Sequence, residues 1–319
     1  MAIVKHRIGP SLMHNDFDLA VSWDWEHDTD FTRMLEAEVH KRDLRFYSIS
    51  HHNTLETIRR VQKGELRFGA FLDRAGDVDD AFVSVARALR KTPTIFINHP
   101  DALAHANDKA TMHLEFITAG VHVPFTIIIS PYNKKRELEL SLSDLAQLGR
   151  PFIIKPANTT GGGIGVVLGA ESLKDVIESR QHHKNDKYLL QERIHPITLD
   201  GRRAWFRVFW VFGRHFACWW DDATHVYAVV EPEEIERYDL QDLGQVTGFI
   251  ARVCQLRFFS TEIAITPEKK TVAVDYVNDI CDMRLQSRHI DGVPDRTVEA
   301  ICNQIASQLP GVLRAGTSG

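Results

Sequence analysis

Two places in the sequence combine residue types that could do chemistry together. The first is the stretch Ile154-Lys155-Pro156-Ala157-Asn158-Thr159-Thr160-Gly161-Gly162-Gly163-Ile164-Gly165-Val166-Val167. Glycines lack a Cβ, so their backbone N–H groups can come close to phosphate oxygens. Lys155, just upstream, can bring a positive charge to the same phosphates. Neither common nucleotide fingerprint is present. There is no G-x-x-x-x-G-K-[ST], and Leu168 stands where the third glycine of G-x-G-x-x-G would be. A surface hairpin with a floppy tip would show the same run of glycines, but a lysine ending the preceding strand favours phosphate.

The second place is a C-terminal hairpin. Phe258 to Ile265 and Thr271 to Val277 are apolar runs flanking Thr266-Pro267-Glu268-Lys269-Lys270. Folding about Glu268-Lys269 sets Glu262 opposite Asp275. Two facing carboxylates repel unless a cation or a proton lies between them. Hard oxygen ligands of this kind, with Asn278 nearby, suit magnesium. The other reading leaves one carboxylate facing solvent. Asp275 and Asn278 are three apart, on opposite faces of a regular strand. A bulge or a strand end must therefore intervene, or Asp279 or Asp282 replaces one ligand. Arg284, in Asp279-Ile280-Cys281-Asp282-Met283-Arg284, could bind a substrate carboxylate or pair with Asp279 or Asp282.

The elements that must position these residues follow from periodicity. Leu19 to Trp23, Leu44 to Ile49, Phe68 to Leu72 and Thr94 to Ile97 read as strands. Helical patterns at Phe31 to Arg42, Thr54 to Val61 and Val78 to Leu89 alternate with them, which implies a parallel sheet with crossover helices. Asp101 to Ala119 reads as one helix stopped by Gly120. Val123 to Ile129 is a strand, Ser141 to Leu148 a short helix, and Phe152 to Pro156 with Ile164 to Leu168 a hairpin around the glycines. Glu171 to about Gln181 is a helix, and Tyr188 to Glu192 a strand. Trp205 to Phe212 and His215 to Trp219 form a hairpin at Gly213-Arg214. Leu240 to Leu256 is a helix with one buried face, the acidic stretch Glu231 to Glu236 reads as a loop, and Arg296 to about Leu309 is the last helix.

Composition narrows the class. The chain has 319 residues, 44% hydrophobic and 25% charged, an ordinary globular balance for two or three lobes. A net charge of −5 argues against a nucleic-acid surface. The four cysteines show no C-x-x-C spacing, so neither a disulfide framework nor a zinc site is expected. No run of about 18 apolar residues occurs and the N-terminal stretch has no signal-peptide core, so no membrane span and a cytoplasmic location are expected. The sixteen histidines show no ligand spacing.

The order of these parts resembles the ATP-grasp superfamily, which includes D-alanine–D-alanine ligase, glutathione synthetase and the ribosomal-protein glutamate ligases. The resemblance runs from about Asn98 to Met283. It implies an α/β fold with α+β lobes: a Rossmann-like parallel-sheet lobe over 1–98, a central lobe with the glycine flap over 99–194, and a C-terminal lobe with the metal and substrate site over 195–319. It also implies ATP and one or two Mg²⁺ ions, with Mn²⁺ an admissible substitute. By resemblance Lys109 and Lys155 reach ATP phosphates, and Thr160, Gly161, Gly162 and Gly163 lie in a mobile flap over them. Gln191, Glu192 and Ile194 match the hinge that holds adenine, though the residues alone fit an ordinary strand end. Arg207 is similar to the strand arginine facing the transferred phosphoryl group, and Glu262, Asp275 and Asn278 resemble the metal ligands. The family usually has aspartate at the first carboxylate position, glutamate at the second, and Glu-x-Asn spacing. The implied activity is carbon–nitrogen ligation of a small-molecule or peptide carboxylate to an amine (or thiol) through an acyl phosphate. A kinase or a non-catalytic ATP-binding protein on the same fold are the alternatives. Dimers are common among similar enzymes, so a homodimer is compatible with the resemblance.

Overall fold

The computed structural model describes residues 16–76, 79–138, 140–158 and 165–316. The chain forms two compact units: Met1–Ile97 with Met283–Leu285 and Val298–Gly319, and Asn98–Asp282 with Gln286–Thr297.

In the first unit β1 (Asp16–Ser22), β2 (Phe46–Ile49), β3 (Arg67–Asp73) and β4 (Ile95–Phe96) pair in the order β2-β1-β3-β4. These pairings are all parallel. Each step along the chain crosses over through a helix: α1 (Thr29–His40), α2 (Thr54–Gln62) and α3 (Asp80–Leu89). Ala20, Phe71 and Phe96 from the sheet pack with Val61, Phe82, Val85 and Leu89 from α2 and α3. The C-terminal helix, Asp295–Gly316, lies against β3 so closely that a Cβ on Gly69 would sit 2.3 Å from Leu313 Cδ2. It continues through Pro310 instead of stopping near Leu309.

The second unit has two antiparallel sheets. The smaller, in order β5-β8-β6-β7, uses β5 (Thr126–Ile129), β6 (Phe152–Pro156), β7 (Val167–Ala170) and β8 (Tyr188–Gln191). Phe152, Ile154, Tyr188 and Leu190 bury one face with Leu148 of α6 (Leu142–Leu148) and Val176 of α7 (Leu173–Ser179). The other face carries Leu189 beside Ala157 and Ala110. A two-stranded ribbon, β9 (Thr198–Leu199) with β10 (Arg202–Arg203), leads into the larger sheet. That sheet runs β13-β12-β11-β14-β15, from β11 (Trp205–Val211), β12 (Arg214–Trp220), β13 (Tyr227–Val229), β14 (Phe258–Ile265) and β15 (Thr271–Asn278). Phe212 and Gly213 both take positive φ in the β11–β12 turn, as a two-residue hairpin loop requires.

Two expectations fail in this unit. The segment 101–119 is not one helix but two, α4 (Pro100–Asn107) and α5 (Lys109–Thr118). Asp108 breaks the run because its carboxylate accepts from Ala110 N and Thr111 N and so caps α5. The acidic stretch at 231–236 is largely helical: α8 spans Pro232–Arg237, with proline at its first turn and a capping box between Glu231 and Glu234. Glu234 is held by Arg202 and by Trp219 Nε1, the latter at 2.9 Å. The other long helix, α9 (Asp242–Cys254), packs with α5 against β14 and β15 through Met112, Phe116, Ile250, Phe259 and Ala273.

One ion pair in the first unit is fully buried. Arg74 grips Asp28 with Nε at 2.9 Å and Nη2 at 2.6 Å, and its guanidinium lies 4.8 Å from the Phe31 ring. Removing one partner of such a pair strands a charge in low dielectric. Asp28→Ala is therefore expected to cost about 3–5 kcal/mol in urea unfolding. Glu56→Ala, which breaks the half-exposed pair with Arg59, is expected to leave the same measurement nearly unchanged.

Candidate active site

The hairpin of β14 and β15 sets the geometry. Its turn closes with Thr266 N donating to Lys270 O at 3.0 Å and Lys269 at φ 59. Glu262 pairs with Asp275, as the folded hairpin predicts. The register then shifts on both sides of that pair. Glu262 to Ser260 is two steps on β14, but Asp275 to Asn278 is three on β15, so one residue is bulged out. The bulge reverses the parity of β15 and returns Asn278 to the face of Asp275. Tyr276 and Val277, consecutive in sequence, both pack on the opposite face with Met112 and Phe116. The second shift, between Glu262/Asp275 and Ile263/Ala273, likewise keeps Val274 with Asp275.

The neighbouring strand completes this face. Arg207 on β11 pairs in register with Glu262, and its Nη2 donates to Glu262 Oε1 at 2.7 Å. Trp205 Nε1 donates to Glu262 Oε2 at 3.2 Å, and the Trp220 ring lies 4.7 Å from the guanidinium. Burial raises the Glu262 pKa and Asp275 raises it further, against the pull of Arg207. Burial opposes the Arg207 charge, but Glu262, Tyr227 and Asp275 together with Cys281 outweigh it and the net direction is upward. Arg207 Nε is buried and makes no hydrogen bond with any of the described residues. A buried donor left open in this way is a place for an acceptor oxygen.

Lys155 reaches the same carboxylates from the smaller sheet. Its Nζ lies 3.7 Å from Asp275 Oδ1 and 3.4 Å from Val274 O. Burial lowers its pKa; Asp275 opposes this, and Lys109 adds to it. Although burial raises the Asp275 pKa, Lys155, Lys109 and Arg207 together hold it below the usual range. Lys109 is the first residue of α5, and its backbone N donates to Ala157 O at 3.2 Å. Asp108, the cap, also accepts from Lys187 Nζ at 2.9 Å. Asn158 is tied to Asp186 by its backbone N at 2.8 Å and its Nδ2 at 2.9 Å. Thr160, Gly161, Gly162 and Gly163 lie outside the described residues.

At the end of β8, Gln191 is buried; its Nε2 donates to Thr126 Oγ1 at 3.1 Å and lies 3.3 Å from Tyr276 Oη, while its Oε1 has no partner among the described residues. Glu192 Oε1 accepts from Phe125 N at 2.7 Å. Ile194 packs with Trp205, Ala264, Val272 and Val274. The face thus has an apolar end and, through Arg207, Glu262, Asp275 and Lys155, a charged end. Arg284 belongs to the first unit, with its guanidinium 5.6 Å from the Trp25 ring. Sequence reasoning missed Trp205, Tyr276 and His113, which read as ordinary strand and helix residues.

The carboxylate pair fits a hard divalent cation. Among the described residues no group of three or more His, Cys, Asp or Glu side chains forms a metal cage. Two carboxylates and an amide on one face suit an ion that completes its shell with phosphate oxygens and water, as Mg²⁺ does.

No family model and no curated protein matches the sequence. Solved structures match in fold. D-alanine–D-alanine ligase from Bacillus anthracis, complexed with ATP, aligns at a TM-score of 0.63 and 13% identity over 94% of this chain and 98% of that one. The ATP-grasp ligase PsnB, complexed with a minimal precursor, Mg and ADP, aligns at 0.58 and 14% identity over 93% and 98%. The RimK domain protein from Sphaerobacter thermophilus aligns at 0.58 and 17% identity over 91% and 98%. The fold of this chain is the ATP-grasp fold.

His113 on α5 is buried, and its Nδ1 lies 2.5 Å from Tyr276 Oη. Burial, with Lys155 adding to it, pushes its pKa down from 6.5 to about 4. The unfolded chain therefore binds a proton that the native state refuses across that window. Stability falls as pH drops through it, by about 3 kcal/mol in all. Urea unfolding between neutral pH and about pH 4 is expected to show this loss in the wild type and a correspondingly shallower loss in His113→Gln.

Proposed function

We propose that the protein is an ATP-dependent ligase that activates a carboxylate as an acyl phosphate and joins it to an amine. The observation that carries the reading is the convergence of Lys155 on Asp275 and of Arg207 on Glu262 on one sheet face of an ATP-grasp fold. Three cations (Lys109, Lys155 and Arg207) meet two carboxylates there, a balance that suits a polyanion bound together with a divalent ion.

In this reading the adenine lies at the apolar end, against Ile194, Trp205 and Val274, with the Gln191 and Glu192 backbone beside it. Lys109 and Lys155 hold phosphate oxygens, helped by backbone amides of Thr160 and Gly161 to Gly163. Mg²⁺, held by Glu262, Asp275 and Asn278, supplies charge neutralisation at the phosphates when bound. A substrate carboxylate oxygen attacks the γ-phosphorus, the bond to the ADP oxygen breaks, and an acyl phosphate forms. The open Arg207 Nε–H receives an oxygen of the phosphoryl group in flight. The amine then attacks the acyl carbon and phosphate leaves. Arg284 is proposed to hold a substrate carboxylate. The two ends of the substrate are a small-molecule or peptide acid and an amine; PsnB, similar in fold, is complexed with a precursor peptide. All four cysteines are buried and none forms a disulfide. A cytoplasmic location is part of the same proposal, and no helix among the described residues is long and apolar enough to cross a membrane.

The full chain is expected to bind MgATP and, with its acid substrate and hydroxylamine, to release ADP and form a hydroxamate. Lys155→Met and Glu262→Gln should each lower that rate by about 100-fold or more. ADP release without hydroxamate would show phosphorylation of a hydroxyl instead. Failure to bind MgATP at millimolar nucleotide would remove the reading.

A further inference from the structure

A group of side chains behind Lys155 has no part in the scheme above. Tyr276 follows Asp275 on β15 and so points to the opposite face, packing in the cluster of Met112 and Phe116. There its ring lies 5.2 Å from Lys155 Nζ. The ring is fully buried and braced: Phe116 packs edge-on at 5.1 Å, His113 Nδ1 lies 2.5 Å from the phenol oxygen, and Gln191 Nε2 lies 3.3 Å from it. His113 stands one helical turn after Lys109, so α5 brings both to this place.

The ammonium of Lys155 is otherwise loosely held. Asp275 is at 3.7 Å and Val274 O at 3.4 Å, both at the long end for a charged hydrogen bond. A short carboxylate contact would occupy its N–H groups and repel phosphate. An aromatic face attracts the cation without doing either. We propose that Tyr276, braced by His113, is a positioning residue for Lys155: an uncharged aromatic floor that aims a buried ammonium while leaving its N–H groups for phosphate oxygens. This rests on the reading of Lys155 as a phosphate ligand. The brace is itself neutral, since His113 stays unprotonated down to about pH 4, burial being the main cause and Lys155 the second. A charged imidazolium there would repel the lysine it supports.

The test is a double-mutant cycle on MgATP affinity of the full chain, measured by calorimetry. Tyr276→Leu removes the floor and is expected to weaken MgATP about tenfold. In a Lys155→Met background the same change is expected to cost nothing further, because the tyrosine acts through the lysine. Tyr276→Phe keeps the ring and should stay within about threefold of wild type. If Tyr276→Leu does not fold, His113→Leu takes its place in the cycle: it leaves the ring but removes the brace, with about a threefold loss expected that likewise vanishes with Lys155→Met. Equal losses in both backgrounds, or no loss in either, would overturn the inference while MgATP binding by the wild type leaves the ligase reading standing. A wild-type chain that binds no MgATP overturns both.

Discussion

The pairing of Glu262 with Asp275 across β14 and β15 is the constraint on which the rest of this site depends. Two carboxylates opposed on a buried sheet face are costly unless cations stand close. Here each has its own: Arg207 from β11 for Glu262, and Lys155 from the smaller sheet for Asp275. The two cations come from different sheets, so the charge balance of the hairpin also fixes how those sheets meet within the unit. Had Lys155 faced the side of Ile154, it would have been buried among Phe152, Tyr188 and Leu190 with no carboxylate in reach. The alternation of β6 thus decides the site as much as the carboxylates do.

Much of this was legible in the sequence because it depends on short-range rules. The facing of Glu262 and Asp275 needs only a short turn and a count of residues. The parallel sheet of the first unit follows from strands alternating with amphipathic helices. That a bulge, a strand end or a substitute ligand must stand at Asn278 follows from parity alone. What the sequence hid came from two sources. One is local chemistry that competes with periodicity: the apolar pattern of 101–119 runs through Asp108, yet a cap with two backbone N–H groups to satisfy outweighs helix continuity. The acidic run at 231–236 misled for the converse reason, since its proline and capping box favour a helix start. The other source is long-range contact. Nothing near Tyr276 or His113 in sequence says that they meet, because they are 163 residues apart.

The site is also nearly self-sufficient in hydrogen bonds, which bears on how it could hold a ligand. Glu262 is satisfied by Arg207 and Trp205, and Asn158 by Asp186. Side chains held in this way keep their geometry with no ligand present, so little ordering entropy remains to oppose binding. Two buried polar atoms stand out against this background, Arg207 Nε and Gln191 Oε1. One is a donor at the charged end of the face and the other an acceptor at the end of β8. An orphaned buried polar atom costs about 1–3 kcal/mol, and a ligand that pairs with it recovers that cost on binding.

The division of the face into two ends follows from the same strands. Trp205 and Arg207 are two residues apart on β11, and Ala264 and Glu262 are their register partners on β14. A single step of two along each strand therefore separates an apolar surface from a charged one, about 7 Å apart at the usual rise per residue. That is a short distance for so sharp a change in polarity. It is sustained because each polar group has a partner across the strand and each apolar group a partner above the sheet, Ile194 in particular. Moving β11 by one residue would turn Arg207 away from this face and leave Glu262 without its cation. The bulges in β15 are therefore constrained from both directions: they must restore Asn278 to the face, and they must do so without disturbing the register of β11 with β14, which shows no shift along its length.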